Sequence, residues 1–322
     1  MRALNTALVT IGILTCAAPA TSAPLRGVAG KTGSAVAVGT SMILFSSNLQ
    51  RSWFQASGFN PLLDYTAVAA TPSGYVAVAS NGSVWSATDP AGTGWIQRDT
   101  PSTRALRAVE VVGSRLVAVG DGGVIYRSAN YDGTGWASQS SGVTSTLRAL
   151  ANNGTFTIVV GDGGVILRGN NEGTNFTRIT VDETRDLLGV CVNALNRTFL
   201  AVGRDGVMLR ANADGSTWTP LTEITSSTLY ACNTDNLPYG LATVVVGAGG
   251  IAFYASNNFT NWIETNTQTG VDLHDLAFTG VSFLAVGDNR ETFWSQIGLT
   301  WELGAVPTQQ ITWGSLKARY QP

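Results

Sequence analysis

The sequence predicts an all-β protein, a seven-bladed β-propeller made of four-stranded antiparallel blades. Three sequence features recur seven times along the chain, in the same order and with nearly constant spacing. A short apolar run closes on glycine or alanine every 40 to 44 residues, an aromatic residue follows it 14 to 16 residues later, and an apolar residue opens an earlier strand 14 to 18 residues before it. About 40 residues hold four short strands with their turns, which is the length of one propeller blade.

The three features place the blades along the chain. The apolar runs close at Gly39, Ala79, Gly120, Gly161, Gly203, Gly247 and Gly287. The aromatic residues are Trp53, Trp95, Trp136, Phe176, Trp218, Trp262 and Trp301. The strand-opening residues are Leu25, Tyr65, Leu106, Leu147, Leu187, Leu229 and Leu273.

The stretch 117–136 shows the pattern within one blade. It alternates apolar and polar residues, turns at Asp121-Gly122-Gly123, alternates again, turns at Asp132-Gly133 and ends on Trp136. Alternation with a period of two indicates half-buried strands, and glycine supplies the positive φ of a hairpin turn. A lone four-stranded sheet cannot bury both faces, so we expect seven sheets to stack radially, with the recurrent aromatic residue wedged between neighbours.

The ends of the chain differ from the repeats. Residues 1–23 combine one arginine, a short apolar run and small residues near their end, which is typical of a secretory signal peptide. The propeller is expected over 24–304, each repeat forming a whole blade. Residues 305–322 form a tail that could add one strand to an outer sheet edge. No other stretch is apolar for long enough to span a membrane, so we expect an exported protein, periplasmic or extracellular.

Composition agrees with an exported β-protein and limits the partners. Only 12% of the residues are charged, and the chain contains 37 glycines. Removing residues 1–23 takes away Arg2 and leaves 18 basic against 21 acidic side chains. This balance gives no electrostatic footprint for nucleic acid or for an anionic membrane.

Two cysteines remain in the predicted mature chain, Cys191 and Cys232. They lie four and three residues after the leucines that open their blades. Odd and even offsets point to opposite faces of a strand, which favours two buried thiols over a disulfide.

The candidate binding surface is the rim of the axial channel. The first strand of a propeller blade is innermost, so the residue after each strand-opening residue should surround the channel mouth. These seven residues, called here the mouth ring, are Arg26, Thr66, Arg107, Arg148, Leu188, Tyr230 and His274. The turns between second and third strands should lie on the same face and bring Asp121, Asp162 and Arg204 close to the ring. This mixed, arginine-rich rim suits a protein partner, although it also fits solvated side chains paired with neighbouring aspartates.

Two short insertions, around 193–197 and 233–240, should decorate the opposite face. They fall between the first and second strands of the fifth and sixth blades. Insertions in propellers carry function more often than strands do.

Catalytic motifs are few. His274 is the only histidine, so a zinc site of several histidines is excluded, and a serine–histidine–aspartate triad would have to include this residue. The aspartate-glycine turns lack the following glutamate of a calcium loop. No metal and no cofactor is therefore expected.

Blade motifs carry a family resemblance. Ser-Ala-Asn-Tyr-Asp-Gly-Thr-Gly-Trp136, Ala-Asn-Ala-Asp-Gly-Ser-Thr-Trp218, and Leu-Arg-Ala-Val109 with Val-Ala-Val-Gly120 resemble the BNR/Asp-box class of propeller. More narrowly, they resemble the Ycf48/Hcf136-like photosystem II stability and assembly factors and their bacterial relatives. The resemblance covers 25–303, but the aspartate stands four residues before Trp136 and Trp218 rather than five, and blades one and seven lack it.

The resemblance implies a non-catalytic exported scaffold that holds another protein during assembly. It also implies an arginine patch on the disc, to which Arg107 and Arg148 would correspond. Two alternatives remain, a lectin-like propeller that binds glycans through exposed aromatic residues, and a sialidase-like glycoside hydrolase. The hydrolase needs facing carboxylates, and Glu110 is the one glutamate that the strand pattern places near the axis.

Overall fold

The computed structural model describes residues 23–47, 52–89, 92–237, 240–256 and 259–304. The predicted signal peptide, apart from its last residue, and the predicted tail lie outside these residues. Within them the chain forms seven four-stranded antiparallel sheets, each from four consecutive strands. The predicted seven-bladed all-β propeller is confirmed, and among the described residues no sheet takes a strand from the other end of the chain.

The strands are numbered β1 to β28 in chain order, four to a blade. The innermost strands are β1 (Leu25–Lys31), β5 (Tyr65–Ala70), β9 (Leu106–Val112), β13 (Leu147–Asn152), β17 (Leu187–Val192), β21 (Leu229–Leu237) and β25 (Leu273–Phe278). The second strands are β2 (Ser34–Gly39), β6 (Tyr75–Ala79), β10 (Arg115–Gly120), β14 (Phe156–Gly161), β18 (Phe199–Gly203), β22 (Gly240–Gly247) and β26 (Phe283–Gly287).

The outer half of each blade is shorter. The third strands are β3 (Met42–Ser46), β7 (Val84–Ala87), β11 (Ile125–Arg127), β15 (Val165–Asn170), β19 (Met208–Ala211), β23 (Ile251–Ala255) and β27 (Thr292–Ser295). The outermost strands are β4 (Phe54–Gln55), β8 (Ile96–Asp99), β12 (Ala137–Gln139), β16 (Thr177–Ile179), β20 (Trp218–Pro220), β24 (Ile263–Asn266) and β28 (Glu302–Leu303). All seven predicted opening residues begin an innermost strand, and all seven predicted closing residues end a second strand.

The core lies between the blades. Seven buried apolar clusters each join two neighbouring blades, because both faces of every sheet carry apolar side chains. One of them joins blade one to blade seven, where Leu25 and Val28 pack with Leu284 and Val286. At the same seam the Val28 amide donates to Asp275 Oδ2 at 2.8 Å. The ring is therefore closed by packing and hydrogen bonds.

The recurrent aromatic residue packs between neighbouring blades, as predicted. Trp95 is 1% exposed and lies in the cluster between blades one and two, beside Val36 and Val38. Its indole N–H donates to the carbonyl of Gly92 at 2.9 Å. Trp136 makes the equivalent bond to Gly133, also at 2.9 Å. A buried indole that keeps a hydrogen-bond partner adds large apolar area without stranding a polar group.

The turns between second and third strands are tighter than the predicted hairpins. In blades three to seven they form single-turn 3-10 helices, at Asp121–Gly123, Asp162–Gly164, Arg204–Gly206, Ala248–Gly250 and Asp288–Arg290. Gly122 at the centre of the first has φ +69°. The amide of the first turn residue donates to the carbonyl before the innermost strand, as from Asp121 to Ala105 at 2.9 Å. These bonds place the turns beside the channel mouth.

The two insertions differ from each other. In blade five the turn after β17 contains Leu195, which is 60% exposed. In blade six the extra residues instead lengthen both strands, so that β21 and β22 pair as far as Leu237 and Gly240. The predicted loop at 233–240 was wrong in this respect, because the backbone pairing of the two strands continues through residues 233–237.

The prediction of two free thiols was also wrong. Cys191 and Cys232 form a disulfide, with their Cα atoms 5.7 Å apart. The offsets do put the side chains on opposite faces of their strands. Neighbouring blades, however, stack face to face. At the contact between β17 and β21, one strand therefore presents the face with even offsets and the other presents the face with odd offsets.

Candidate partner-binding mouth of the axial channel

The seven innermost strands enclose an axial cavity of about 460 Å³. All seven residues of the mouth ring line it, together with Glu110 and Asp275 deeper on the wall. The sequence-predicted ring is therefore brought together around one opening.

A backbone irregularity presents the mouth ring. In every blade the pairing of the first two strands shifts register at the residue after the strand-opening residue. Such a bulge leaves one residue out of the ladder and redirects its side chain. Seven bulges at equivalent positions therefore aim seven side chains at the mouth.

Two ring arginines are held by aspartates of their own blade. Arg107 donates to Asp121 through Nε at 2.8 Å and Nη2 at 2.7 Å. Arg148 bonds Asp162 in the same two-pronged way, at 2.7 and 3.0 Å. The aspartate hydrogen bond raises the pKa of Arg107, and the guanidinium lowers the pKa of Asp121. Both arginines are thus oriented and already neutralised.

The other predicted turn residue, Arg204, pairs with the aspartate that precedes the innermost strand of its own blade. Its Nε donates to Asp186 Oδ2 at 2.7 Å, while Asp186 Oδ1 accepts from the Gly163 amide of blade four at 2.9 Å. The pKa of Asp186 is lowered first by that amide and then by Arg204. This aspartate links the turns of blades four and five.

Aromatic groups occupy the mouth at blades six and seven. The Tyr230 hydroxyl donates to Asp272 Oδ2 at 3.0 Å, and the ring lies 5.4 Å from that of His274. Burial, followed by the bond to Asp272, raises the pKa of Tyr230. His274 Nε2 lies 2.8 Å from Asp288 Oδ1.

Arg26 has the loosest partner in the ring. Its Nε is 4.0 Å from Asp64 Oδ1, an oxygen that is buried and accepts no hydrogen bond. The Thr66 hydroxyl donates to the Leu106 carbonyl of blade three at 2.6 Å. Arg26 is therefore less constrained than Arg107 or Arg148.

Two carboxyl groups line the channel below the mouth. Desolvation by the surrounding channel wall raises the pKa of Glu110 to about 7 and that of Asp275 to about 7, although the Glu110 side chain still contacts water in the channel. Glu110 Oε1 accepts from the Val111 amide at 3.0 Å, and Asp275 accepts from the amides of Val28 and Leu276, each at 2.8 Å. These backbone bonds favour the ionised forms but do not offset the loss of solvation.

Sequence reasoning missed Asp275 and Asp64. The strand-offset argument that placed Glu110 near the axis also applies to Asp275, which is two residues after Leu273. Asp64 carries no such signal, because it precedes its strand and reaches Arg26 only when blades one and two are assembled.

The residues at the mouth offer oriented charge pairs, an aromatic pair and a cavity with carboxyl groups. Among the residues that the structure describes, no three His, Cys, Asp or Glu side chains converge as metal ligands. No helix within those residues is long and apolar enough to cross a bilayer.

No protein-family model and no curated protein matches the sequence. Solved structures do match. A structure of Ycf48 bound to a D1 peptide has a TM-score of 0.69 at 13% identity, and the match covers 85% of this chain and 92% of that one. Ycf48 from Cyanidioschyzon merolae has a TM-score of 0.66, also at 13% identity, with 83% and 94% covered. The predicted resemblance thus holds for the fold, and this chain is similar to Ycf48 in its seven-bladed architecture.

Proposed function

We propose that the protein is an exported, non-catalytic propeller that binds a protein partner at the channel mouth and acts as a scaffold or assembly factor. One observation carries the proposal: seven bulges direct seven side chains to a single opening. A ladder irregularity repeated in every blade is characteristic of positions that re-aim side chains toward a site.

The fold comparison supports the same function. The similar Ycf48 propeller is described with a bound D1 peptide, so a propeller of this architecture holds a segment of another protein. The oriented arginines and Tyr230 are of the residue types that dominate protein interfaces.

Export is supported by the Cys191–Cys232 disulfide. Disulfides persist in secreted and periplasmic proteins and are rare where thiols are kept reduced. The apolar segment within 1–23 is the matching sequence feature.

The test is capture of a partner by the immobilised protein from the envelope fraction of its native cell, followed by titration of the protein recovered. We expect a stoichiometric partner whose affinity falls about tenfold or more with Tyr230→Ala, since a tyrosine at an interface hot spot contributes about 2 kcal/mol or more. Tyr131→Ala is the matched control, because Tyr131 also donates one hydrogen bond, to the Gly113 carbonyl, away from the mouth. Recovery of no stoichiometric protein, or an equal loss with both variants, would overturn the proposal.

A further inference from the structure

We propose that the segment 305–322 packs into a groove on the outer rim of the propeller, between blades six and seven, and covers the free edge of blade seven. The segment itself lies outside the described residues. The proposal rests on the groove, on the place where the chain leaves blade seven, and on the composition of the segment. It is independent of the proposed function, because the rim is separate from the channel mouth.

The groove between blades six and seven has exposed apolar residues on both walls. Ile263 on β24 is 53% exposed, and Leu303 on β28 is 65% exposed. Residues that pair across a strand ladder share one face of the sheet. Ile263 pairs with Tyr254. Leu303 pairs with Phe293. Both partners pack in the apolar cluster that joins blades six and seven, so Ile263 and Leu303 face the same groove from opposite sides.

The other large exposed apolar residues of the described outermost strands do not face one another. They are Phe54 on β4 and Ile96 on β8. Phe54 pairs with Phe45, which packs against the cluster of blades one and two. Ile96 pairs with Ser86. Ser86 lies on the face opposite its neighbour Trp85, which belongs to that same cluster. Ile96 therefore faces blade three, and among the described residues the groove between blades six and seven is the one with such side chains on both walls.

The floor of this groove is aromatic. Tyr254 and Trp301 are half-buried and pack against the cluster of blades six and seven. The indole N–H of Trp301 donates to Thr265 Oγ1 of blade six at 3.1 Å. That polar group is therefore satisfied, and the rings present apolar surface. Single exposed apolar residues are ordinary, whereas a contiguous apolar patch marks an interaction site.

The described residues end beside this groove. Leu303 is the last residue of β28, and the Gly304 amide donates to the Thr292 carbonyl at 2.7 Å. Pro307 cannot donate to a strand ladder, so a chain that follows β28 leaves the ladder there. The seven residues from Gly304 to Ile311 span at most about 24 Å, which exceeds the separation of about 10 Å between stacked sheets. The segment is thus long enough to turn back and run along the groove, antiparallel to β28.

The apolar pattern of the segment fits two facing walls. Ile311 and Trp313 alternate with Gln310 and Thr312. An extended chain places alternate side chains on one face, so both apolar residues can enter the groove while both polar residues face water. A segment placed in this way would also cover the unpaired backbone groups of an outermost strand, which natural proteins commonly protect.

The charge of the segment is complementary to the rim. Lys317 and Arg319 are its charged side chains, and 305–322 contains no acid. Exposed carboxylates flank the groove, from Glu264 on β24 and Glu302 on β28. Opposite charges on two surfaces favour their pairing and help to fix its register. Pattern, charge and chain connectivity thus select the same occupant.

The experiment places p-benzoylphenylalanine at position 313, in place of Trp313, in the full-length protein. After irradiation, the cross-linked tryptic peptides are identified by mass spectrometry. We expect cross-links within one molecule to peptides that contain β24 or β28. The same group at position 312, in place of Thr312, should face water and give at most about a fifth of that yield.

Variants of the groove test the location. Ile263→Asp with Leu303→Asp should reduce the cross-link yield at position 313 about fivefold or more, because charges replace both apolar walls. The matched control is Phe54→Asp with Ile96→Asp, since these residues are 52% and 51% exposed on outermost strands at other grooves. It should leave the yield unaltered.

The contrary outcomes are distinct. Cross-links between two molecules would assign the groove to a second copy of the chain and overturn the inference. Cross-links to another groove, an equal loss with both double variants, or no cross-link to the protein would overturn it as well. Partner capture and Tyr230→Ala decide the proposed function separately, because these variants leave the mouth unchanged.

Discussion

Glu110 shows how the position of a side chain in the ring determines its pKa. Its carboxyl group is open to water in the channel yet surrounded by the walls of the innermost strands. The nearest hydrogen-bond donor is the next backbone amide, and no arginine of the mouth reaches it. Because the charged form loses solvation without gaining a cation, the pKa rises to about 7.

This raised pKa predicts a stability difference that depends on pH. Between its ordinary value of 4.5 and about 7, the Glu110 carboxyl binds more protons in the folded protein than in the unfolded chain. Its contribution is therefore most favourable below pH 4.5 and is lost as the pH rises through 7. Glu110→Gln cannot ionise, so its melting temperature should exceed the wild-type value at pH 8.

The gain should be on the order of 1 kcal/mol, reduced because water reaches the side chain, or about 2 to 4 °C. At pH 4.5 the two proteins should melt together. Differential scanning calorimetry at both pH values measures the effect, with Glu264→Gln on β24 as the exposed control. An equal gap at the two pH values would contradict the assigned pKa.

At the scale of the blade, the turn before the outermost strand locks each sheet onto the one before it. In blade four, Gly173 has φ +66°, and a Cβ atom there would lie 2.4 Å from Val117 Cγ2 of blade three. Gly163, in another turn of the same blade, has φ +69° and nothing within 4 Å of an added Cβ. The two glycines share a backbone conformation and differ in their packing.

Alanine at these two positions should separate strain from packing. Gly163→Ala should cost about 1 kcal/mol through its left-handed backbone alone. Gly173→Ala should cost a further 1 to 3 kcal/mol, because blade three must shift to admit the methyl group. Urea unfolding of the two variants measures the difference, and equal costs would show that blades three and four do not meet closely at this turn.

Much of the blade could be predicted from the sequence. Leu25, Gly39 and their equivalents mark strand ends because alternation and glycine turns are local signals. The bulges could not be predicted, since a one-residue shift leaves the apolar pattern of the strand intact. The disulfide was missed because the offsets of Cys191 and Cys232 were compared as if the same face of both strands had to meet. The contact instead forms between opposite faces of two stacked sheets.

The candidate site could be predicted only in part. The mouth ring follows from strand order, which the repeat fixes. Which arginines are neutralised depends on partners 14 to 18 residues away, such as Asp121 for Arg107 and Asp186 for Arg204. The pairing of charges at the mouth therefore depends on the folded blade and could not be read from neighbouring residues in the sequence.

At the scale of the whole molecule, the part of the chain that the structure describes closes the ring without a shared strand. Blades one and seven meet through an apolar cluster and the bond from Val28 to Asp275. The covalent link lies elsewhere, between the innermost strands of blades five and six, where Cys191 and Cys232 are 41 residues apart. Opening the ring at any seam exposes two apolar sheet faces, so each seam contributes to the stability of the whole.

Removing the disulfide should lower stability without opening the ring. A cross-link that closes a 41-residue loop restricts the unfolded chain by about 4 kcal/mol at most, which corresponds to a fall in melting temperature of roughly 5 to 10 °C. Cys191→Ala with Cys232→Ala should show this fall and be insensitive to dithiothreitol, whereas the reductant should bring the wild-type protein down to the variant's value. Far-ultraviolet circular dichroism should stay unchanged in both, because the apolar seam between β17 and β21 remains. A wild-type melting temperature that reductant and subsequent thiol alkylation leave unaltered would show that the bond between blades five and six does not stabilise the ring.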